Sequence, residues 1–193
     1  MNRTSITAAA LGLVLSAAAA PLHAQAIVSS PVRFGIMGGA TLPLSDFKKE
    51  QKTGWNAGAL LTIGVPLVPV SFRVDGQWQQ LDHKSGLTQA ANFRIIDGTA
   101  NVVYTFGAAL PTKFYLIGGV GIYNEHVKFG DTDITQSATK FGLNGGVGFK
   151  FQLTGFATFI EARYHNVIHG EDINGLGVTN SLQFIPITVG ITF

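Results

Sequence analysis

Large apolar side chains recur at every second position over eight stretches of the chain, beginning at residue 32. The last stretch is the clearest. Phe193, Ile191, Val189, Ile187 and Ile185 alternate with Thr192, Gly190, Thr188, Pro186 and Phe184. A period of two predicts a strand with one oily face and one small or polar face. The same period places strands near 32–42, 54–65, 70–80, 94–106, 113–123, 140–151, 156–166 and 183–193. Each has about the length that a tilted strand needs to cross a bilayer. The connections alternate in length. Short turns fall at Pro66-Leu67-Val68-Pro69, at Gly107 to Thr112 and at Gln152 to Gly155, and longer polar loops at 43–53, 81–93, 124–139 and 167–182. That alternation predicts an all-β, eight-stranded antiparallel up-and-down transmembrane barrel, with its short turns and both termini on the periplasmic side.

The strand faces support this reading. The outward set takes even positions in 34–42, 70–78, 96–106, 114–122 and 156–164, and odd positions in 55–65, 141–151 and 185–193. None of these residues is charged. Arg94 is the first charge in the outward direction, and it falls at a strand end, where a charge costs about 0–1 kcal/mol against ~2–4 at mid-membrane. The outward aromatics sort by height. Phe106, Phe114, Phe151 and Phe156 gather near the short turns, and Trp55, Trp78, Phe141 and Tyr164 near the long loops. Two aromatic girdles around an aliphatic band are what a bilayer selects. A soluble barrel would explain the alternation but not the girdles.

The inward set carries Arg33, Arg73, Asp75, Asp97, Lys140, Lys150, Glu161 and Arg163, with Asn56, Gln77, Gln79, Asn101, Asn144 and His165. Side chains fill the interior of so narrow a barrel. The expectation is therefore a packed polar lumen in which five cations and three anions pair, since unpaired buried charge is costly. If the 152–155 turn sets the register, Glu161 and Arg163 face Gly148 and Gly146, whose missing side chains would leave them room.

The rest of the sequence bounds the picture. Met1-Asn2-Arg3, an apolar core from Ala8 to Ala20 and an Ala-x-Ala site predict a secretory signal peptide over 1–26, cleaved after Ala24 or Ala26. Residues 27–193 would then form one barrel domain. Removing Arg3 takes the formal charge from +2 to +1, and no basic cluster suggests nucleic acid. With no cysteine, thiol and disulfide chemistry are excluded. No long uncharged apolar run follows the leader, and a spanning structure without helices must be a closed barrel.

The C-terminal strand, Glu161-Ala162-Arg163-Tyr164-His165, the run from Lys113 to Gly121 and Gly145-Gly146-Val147-Gly148 carry a resemblance. In these segments the chain resembles small bacterial outer-membrane β-barrel proteins of the OmpA/OmpX and opacity-protein type, across residues 30–193. The resemblance implies residence in the outer membrane of a diderm bacterium. Its expected partners are lipid and lipopolysaccharide, and the barrel-assembly machinery during biogenesis. The terminal residues Ile187, Val189, Ile191 and Phe193 would serve as the assembly signal, and the barrel would be a monomer. Members include adhesins and structural anchors. The peptidoglycan-binding domain of the larger members is not matched, so cell-wall anchoring does not carry over.

Candidate chemistry is sparse. His165, His169, Glu171 and Asp172 straddle a strand end and a loop, where a His-x-x-x-His spacing loses its helical meaning. Glu125, His126, Asp131 and Asp133 have no recognised cation-loop spacing. Lipid A deacylases resemble this chain in size but need a His and a Ser two apart on a lipid-facing strand. Here Val167 follows His165, which points inward. No catalytic residue, metal or cofactor is expected. The expected function is structural support or surface adhesion through four outer loops. The alternatives are a small ion or solute channel and, third, a lipid-modifying enzyme.

Overall fold

The computed structural model describes residues 32–45, 48, 51–81, 91–107, 110–129, 135–168 and 181–193. The signal-peptide expectation for 1–26 lies outside the described residues. Eight strands follow one another: β1 (Val32–Pro43), β2 (Gly54–Gly64), β3 (Val70–Leu81), β4 (Ala91–Phe106), β5 (Thr112–Phe129), β6 (Thr135–Gln152), β7 (Ala157–Ile168) and β8 (Ser181–Thr192). Each pairs antiparallel with its sequence neighbour, and β8 returns to β1, so the sheet closes on itself. Around the closed ring no strand lacks a neighbour on either side, the condition that lipid imposes on a sheet.

The short turns explain themselves locally. Val65 N donates to Val70 O at 3.1 Å around 66–69, where Leu67 takes a left-handed φ of 67°. Leu153 N donates to Phe156 O at 2.9 Å across a turn whose Gly155 has φ 86°, a conformation that glycine adopts without a Cβ penalty. At the seam, Gly35–Pro43 pairs with Phe184–Thr192, and Phe193 N donates to Phe34 O at 2.7 Å. A Cβ on Gly39 would collide with the Ile187 carbonyl, so β1 and β8 approach closely there.

No position assigned outward from the sequence is buried. The exposed set runs around the barrel through Ile36, Val74, Val102, Val120, Leu143, Val147, Ile160 and Val189. A soluble protein does not present a continuous apolar girdle of this kind to water.

Two expectations are corrected. Residues 124–139 are not simply a loop, because β5 runs on to Phe129, β6 starts at Thr135 and β4 starts at Ala91. Pairing of β6 with β7 stops at Phe141 and Ile168, whereas its pairing with β5 continues out to Lys128 and Thr135. Among the described residues, β4, β5 and β6 therefore stay paired with one another beyond the last pairs that β4 makes with β3 and β6 makes with β7. The second correction concerns the lumen, which is layered rather than uniformly polar. Leu81, Ile95, Tyr123, Val167, Leu182 and Phe184 form an apolar plug at the long-loop end. Met37, Leu60 and Phe159 form one smaller cluster, and Val103, Tyr115 and Ile117 another. Phe184, read from the sequence as part of a small or polar face, is fully buried in the plug.

Candidate functional site

The centre of the lumen is a closed ring of four charges. In an eight-membered ring β3 and β7 stand opposite each other, and strand parity turns Arg73, Asp75, Glu161 and Arg163 inward. Arg73 Nε meets Asp75 Oδ1 at 2.6 Å, and Arg73 Nη1 meets Glu161 Oε2 at 2.8 Å. Arg163 Nη1 meets Asp75 Oδ2 at 3.0 Å, and Arg163 Nη2 meets Glu161 Oε1 at 2.6 Å. Each cation thus touches both anions, and the quartet is neutral.

Neutral side chains complete the shell. Tyr115 Oη donates to Glu161 Oε2 at 2.8 Å, and Asn101 Nδ2 donates to Asp75 Oδ2 at 2.7 Å. Thr99 Oγ1 donates to Asp75 Oδ2 at 3.2 Å and accepts from Arg163 Nη1 at 3.2 Å. The Arg73 guanidinium also lies 5.6 Å over the Phe159 ring. Buried ion pairs offset their desolvation only when such additional hydrogen bonds are present.

The glycine expectation holds in register and is corrected in part. Gly148 faces Glu161 and Gly146 faces Arg163. A Cβ on Gly146 would press on the Arg163 backbone, but the space beside Gly148 is taken by the Tyr115 ring.

The other predicted interior charges do not join the quartet. Asp97 is buried and accepts from Gln79 Nε2 at 2.7 Å. Lys140 pairs in register with Tyr123 towards the long-loop end, and Arg33 sits half-buried at the short-turn end. Lys150 lines a small cavity below the quartet. Among the described residues the salt bridges join only the quartet, and Arg33, Lys140 and Lys150 make no ion pair with a carboxylate side chain. Lys113, half-buried on the inward side of β5, was missed. Its odd position, shared with inward Tyr115, was the available signal.

Above the quartet lies a polar collar. Thr41 Oγ1 donates to Gln79 Oε1 at 2.9 Å and accepts from Asn56 Nδ2 at 3.1 Å. Tyr123 Oη and His165 Nδ1 are 2.8 Å apart, and the imidazole stacks on Phe184 at 4.9 Å. This imidazole is fully buried inside the barrel and does not face lipid. Among the described residues no three His, Cys, Asp or Glu side chains group as metal ligands. The other candidate ligands His169, Glu171, Asp172, Asp131 and Asp133 lie outside the described residues.

The outer face carries the aromatics at two heights. Trp55, Trp78, Phe141 and Tyr164 are exposed near the long-loop end, and Arg94 lies 4.4 Å over the Trp78 ring. Phe106 and Phe151 are exposed and Phe114 and Phe156 half-buried near the short turns. Tyr104, Phe106, Phe114 and Phe149 touch in sequence, with centroids 4.8, 5.6 and 5.4 Å apart. On β8, Ile187 and Val189 are exposed, as is Phe193 just beyond it, and Ile191 is half-buried.

A closed barrel with two aromatic heights and an apolar outer belt that carries no charge between them defines a transmembrane β-barrel. The family described as the outer membrane protein beta-barrel domain matches residues 7–193, and the chain belongs to it. It is an outer-membrane barrel protein. Among solved structures it is similar to Neisserial surface protein A, with 15% identity, TM-score 0.63 and coverage of 84% of this chain and 96% of that one. It is also similar to a major outer membrane protein from Thermus thermophilus, with 13% identity, TM-score 0.55 and coverage of 84% and 98%. A third is the outer membrane protein OprG from Pseudomonas aeruginosa, with 16% identity, TM-score 0.50 and coverage of 85% and 97%. At these identities the likeness is one of fold. No curated protein matches the chain.

Proposed function

We propose that the protein is a closed-lumen barrel whose role is structural or adhesive, exerted at the membrane surface rather than by transport or catalysis. The observation that carries this reading is the quartet joining β3 to β7 across the lumen. With the apolar plug above it, the quartet puts two barriers in series on any path along the barrel axis. Eight strands enclose little more than their own inward side chains. The extended far ends of β4, β5 and β6 supply surface for contacts. The short turns and both termini lie in the periplasm in this reading, and the long loops face outward. The barrel works as a monomer in contact with lipid and lipopolysaccharide, after insertion by the barrel-assembly machinery.

The test is electrical and topological. The purified protein in a planar bilayer should give no stable current above the bare membrane. An epitope inserted after Gly130 should be labelled on intact cells, and one inserted after Thr154 should not. A steady wild-type current would favour the channel reading, and the opposite labelling pattern would invert the orientation.

A further inference from the structure

The short-turn end of the lumen is a basic chamber. Lys113 on β5 and Lys150 on β6 are direct cross-strand partners, both inward and half-buried. Like charges directly opposite each other destabilise a sheet. Arg33 on β1 pairs in register with Thr62, which lines the same chamber, and it lies within electrostatic reach of both lysines. A cavity of about 30 Å³ opens among Lys150, Arg73, Tyr115, Thr62, Ser71 and Thr105. One buried water needs ~10–15 Å³, so two or three oxygen-sized atoms fit.

Among the described residues no carboxylate side chain forms an ion pair with these cations, and Glu161, which lies within electrostatic reach of Lys150, is committed to Arg73 and Arg163. The Arg73 guanidinium at the cavity wall is committed to Asp75 and Glu161. In the sequence, every carboxylate side chain other than Asp75, Asp97 and Glu161 falls in the connections at the long-loop end, or at Glu125 in the β5 extension. The short-turn connections 65–69, 107–111 and 153–156 contain none. Three cations at one mouth, of which Lys150 lines a void together with hydroxyl groups, and none ion-paired to a carboxylate side chain, select a multiply charged oxyanion. Lysine binds phosphate as a point charge, and arginine binds it as a planar fork.

We propose that the short-turn mouth of the lumen binds a phosphoryl oxyanion between Lys113, Lys150 and Arg33. The group is either free phosphate or the phosphodiester of an anionic lipid headgroup at the rim. Thermal unfolding of the full barrel in zwitterionic micelles, with inorganic phosphate against sodium chloride at equal ionic strength, tests the site. Phosphate should raise the midpoint and chloride should not. Lys113→Gln and Lys150→Gln should each weaken phosphate binding about tenfold, the loss of one charge-assisted hydrogen bond. Without phosphate, Lys150→Gln should unfold at a higher temperature than wild type, because a repulsion is gone. With phosphate the order should reverse. The Lys150 Nζ resonance of the wild-type barrel should shift on adding phosphate, a readout that needs no variant to fold. In phosphate-free vesicles, stabilisation by phosphatidylglycerol over phosphatidylcholine that Lys113→Gln abolishes would identify the headgroup as the source. Equal effects of phosphate and chloride, with no response to phosphatidylglycerol, would reduce the chamber to screened repulsion and overturn the proposal. So would phosphate and phosphatidylglycerol effects that persist unchanged in both variants.

Discussion

Arg73 and Glu161 stand on opposite walls of the barrel and meet through two hydrogen bonds of 2.8 and 2.9 Å. Their strands, β3 and β7, share no backbone ladder. The contact therefore exists only once the sheet has curled enough to bring its opposite walls together. The same holds for Arg163 and Asp75. Before the walls meet, each cation can reach only the anion on its own strand, Arg73 to Asp75 and Arg163 to Glu161, and the rest of each group needs water. Afterwards they satisfy one another at almost no solvent exposure. The quartet thus links the electrostatics of the lumen to completion of the sheet.

Glu161→Gln removes one anion from this ring and leaves two guanidinium groups sharing Asp75. Breaking a buried pair costs ~3–5 kcal/mol, most of it the desolvation of the partner left behind. Urea unfolding of the barrel in lipid vesicles should show a loss of that order. Vesicle conductance should stay negligible, because Tyr115, Arg73 and Arg163 still occupy the cross-section. A stability equal to wild type would show that the quartet contributes nothing to the folded state.

The lipid face offers a second test. Val120 is exposed on β5 between Ala100 of β4 and Leu143 of β6. Val120→Arg should cost ~2–4 kcal/mol in bilayers, the cost of a charge near the midplane. Thr99 would be a poor control despite its modest size, since its hydroxyl bridges Asp75 and Arg163. Thr105→Asn, on the half-buried inward side of β4 near the mouth, is the sounder comparison and should be almost neutral. Equal costs for the two substitutions would mean that the assigned faces are wrong.

The sequence carried the fold because a bilayer and a narrow lumen impose opposite demands on alternate residues. Parity alone therefore sorted Arg73, Asp75, Glu161 and Arg163 inward and Val120 outward. It located the turns at 66–69 and 152–155 for the same reason. What parity could not supply was which inward residues meet across the ring. The quartet depends on strands distant in sequence, and the plug depends on Phe184 sharing a level with Leu81 and Tyr123. The added length of β4, β5 and β6 was hidden for a different reason. Beyond the membrane neither face of a strand needs to be apolar, so Asn124, Glu125, His126 and Lys128 read as a solvated loop.

Gly148 and Tyr115 provide a coupling test. A Cβ at Gly148 would run into the Tyr115 ring, which donates to Glu161. Gly148→Ala should destabilise by ~1–3 kcal/mol through overpacking. Tyr115→Leu vacates the space at the cost of a hydrogen bond. The double variant should then be more stable than the sum of the two losses predicts, and unfolding titrations of all four proteins measure the difference. Simple additivity would show that the Tyr115 ring moves aside freely.

The final prediction separates the two barriers. Phe184 fills the plug and stacks on His165, so Phe184→Ala should open a cavity and cost ~3–5 kcal/mol, the usual range for a buried Phe. It should nevertheless pass no current, because the quartet lies below it. Arg73→Ala should likewise pass none, because the plug remains. Barriers in series must both fail before ions cross, so only Phe184→Ala combined with Arg73→Ala should raise the conductance of a planar bilayer. Heat-modifiable migration would first establish that each variant is a closed barrel. A current through either folded single variant would show that one layer alone had been holding the lumen shut, and the variant that leaks would identify which.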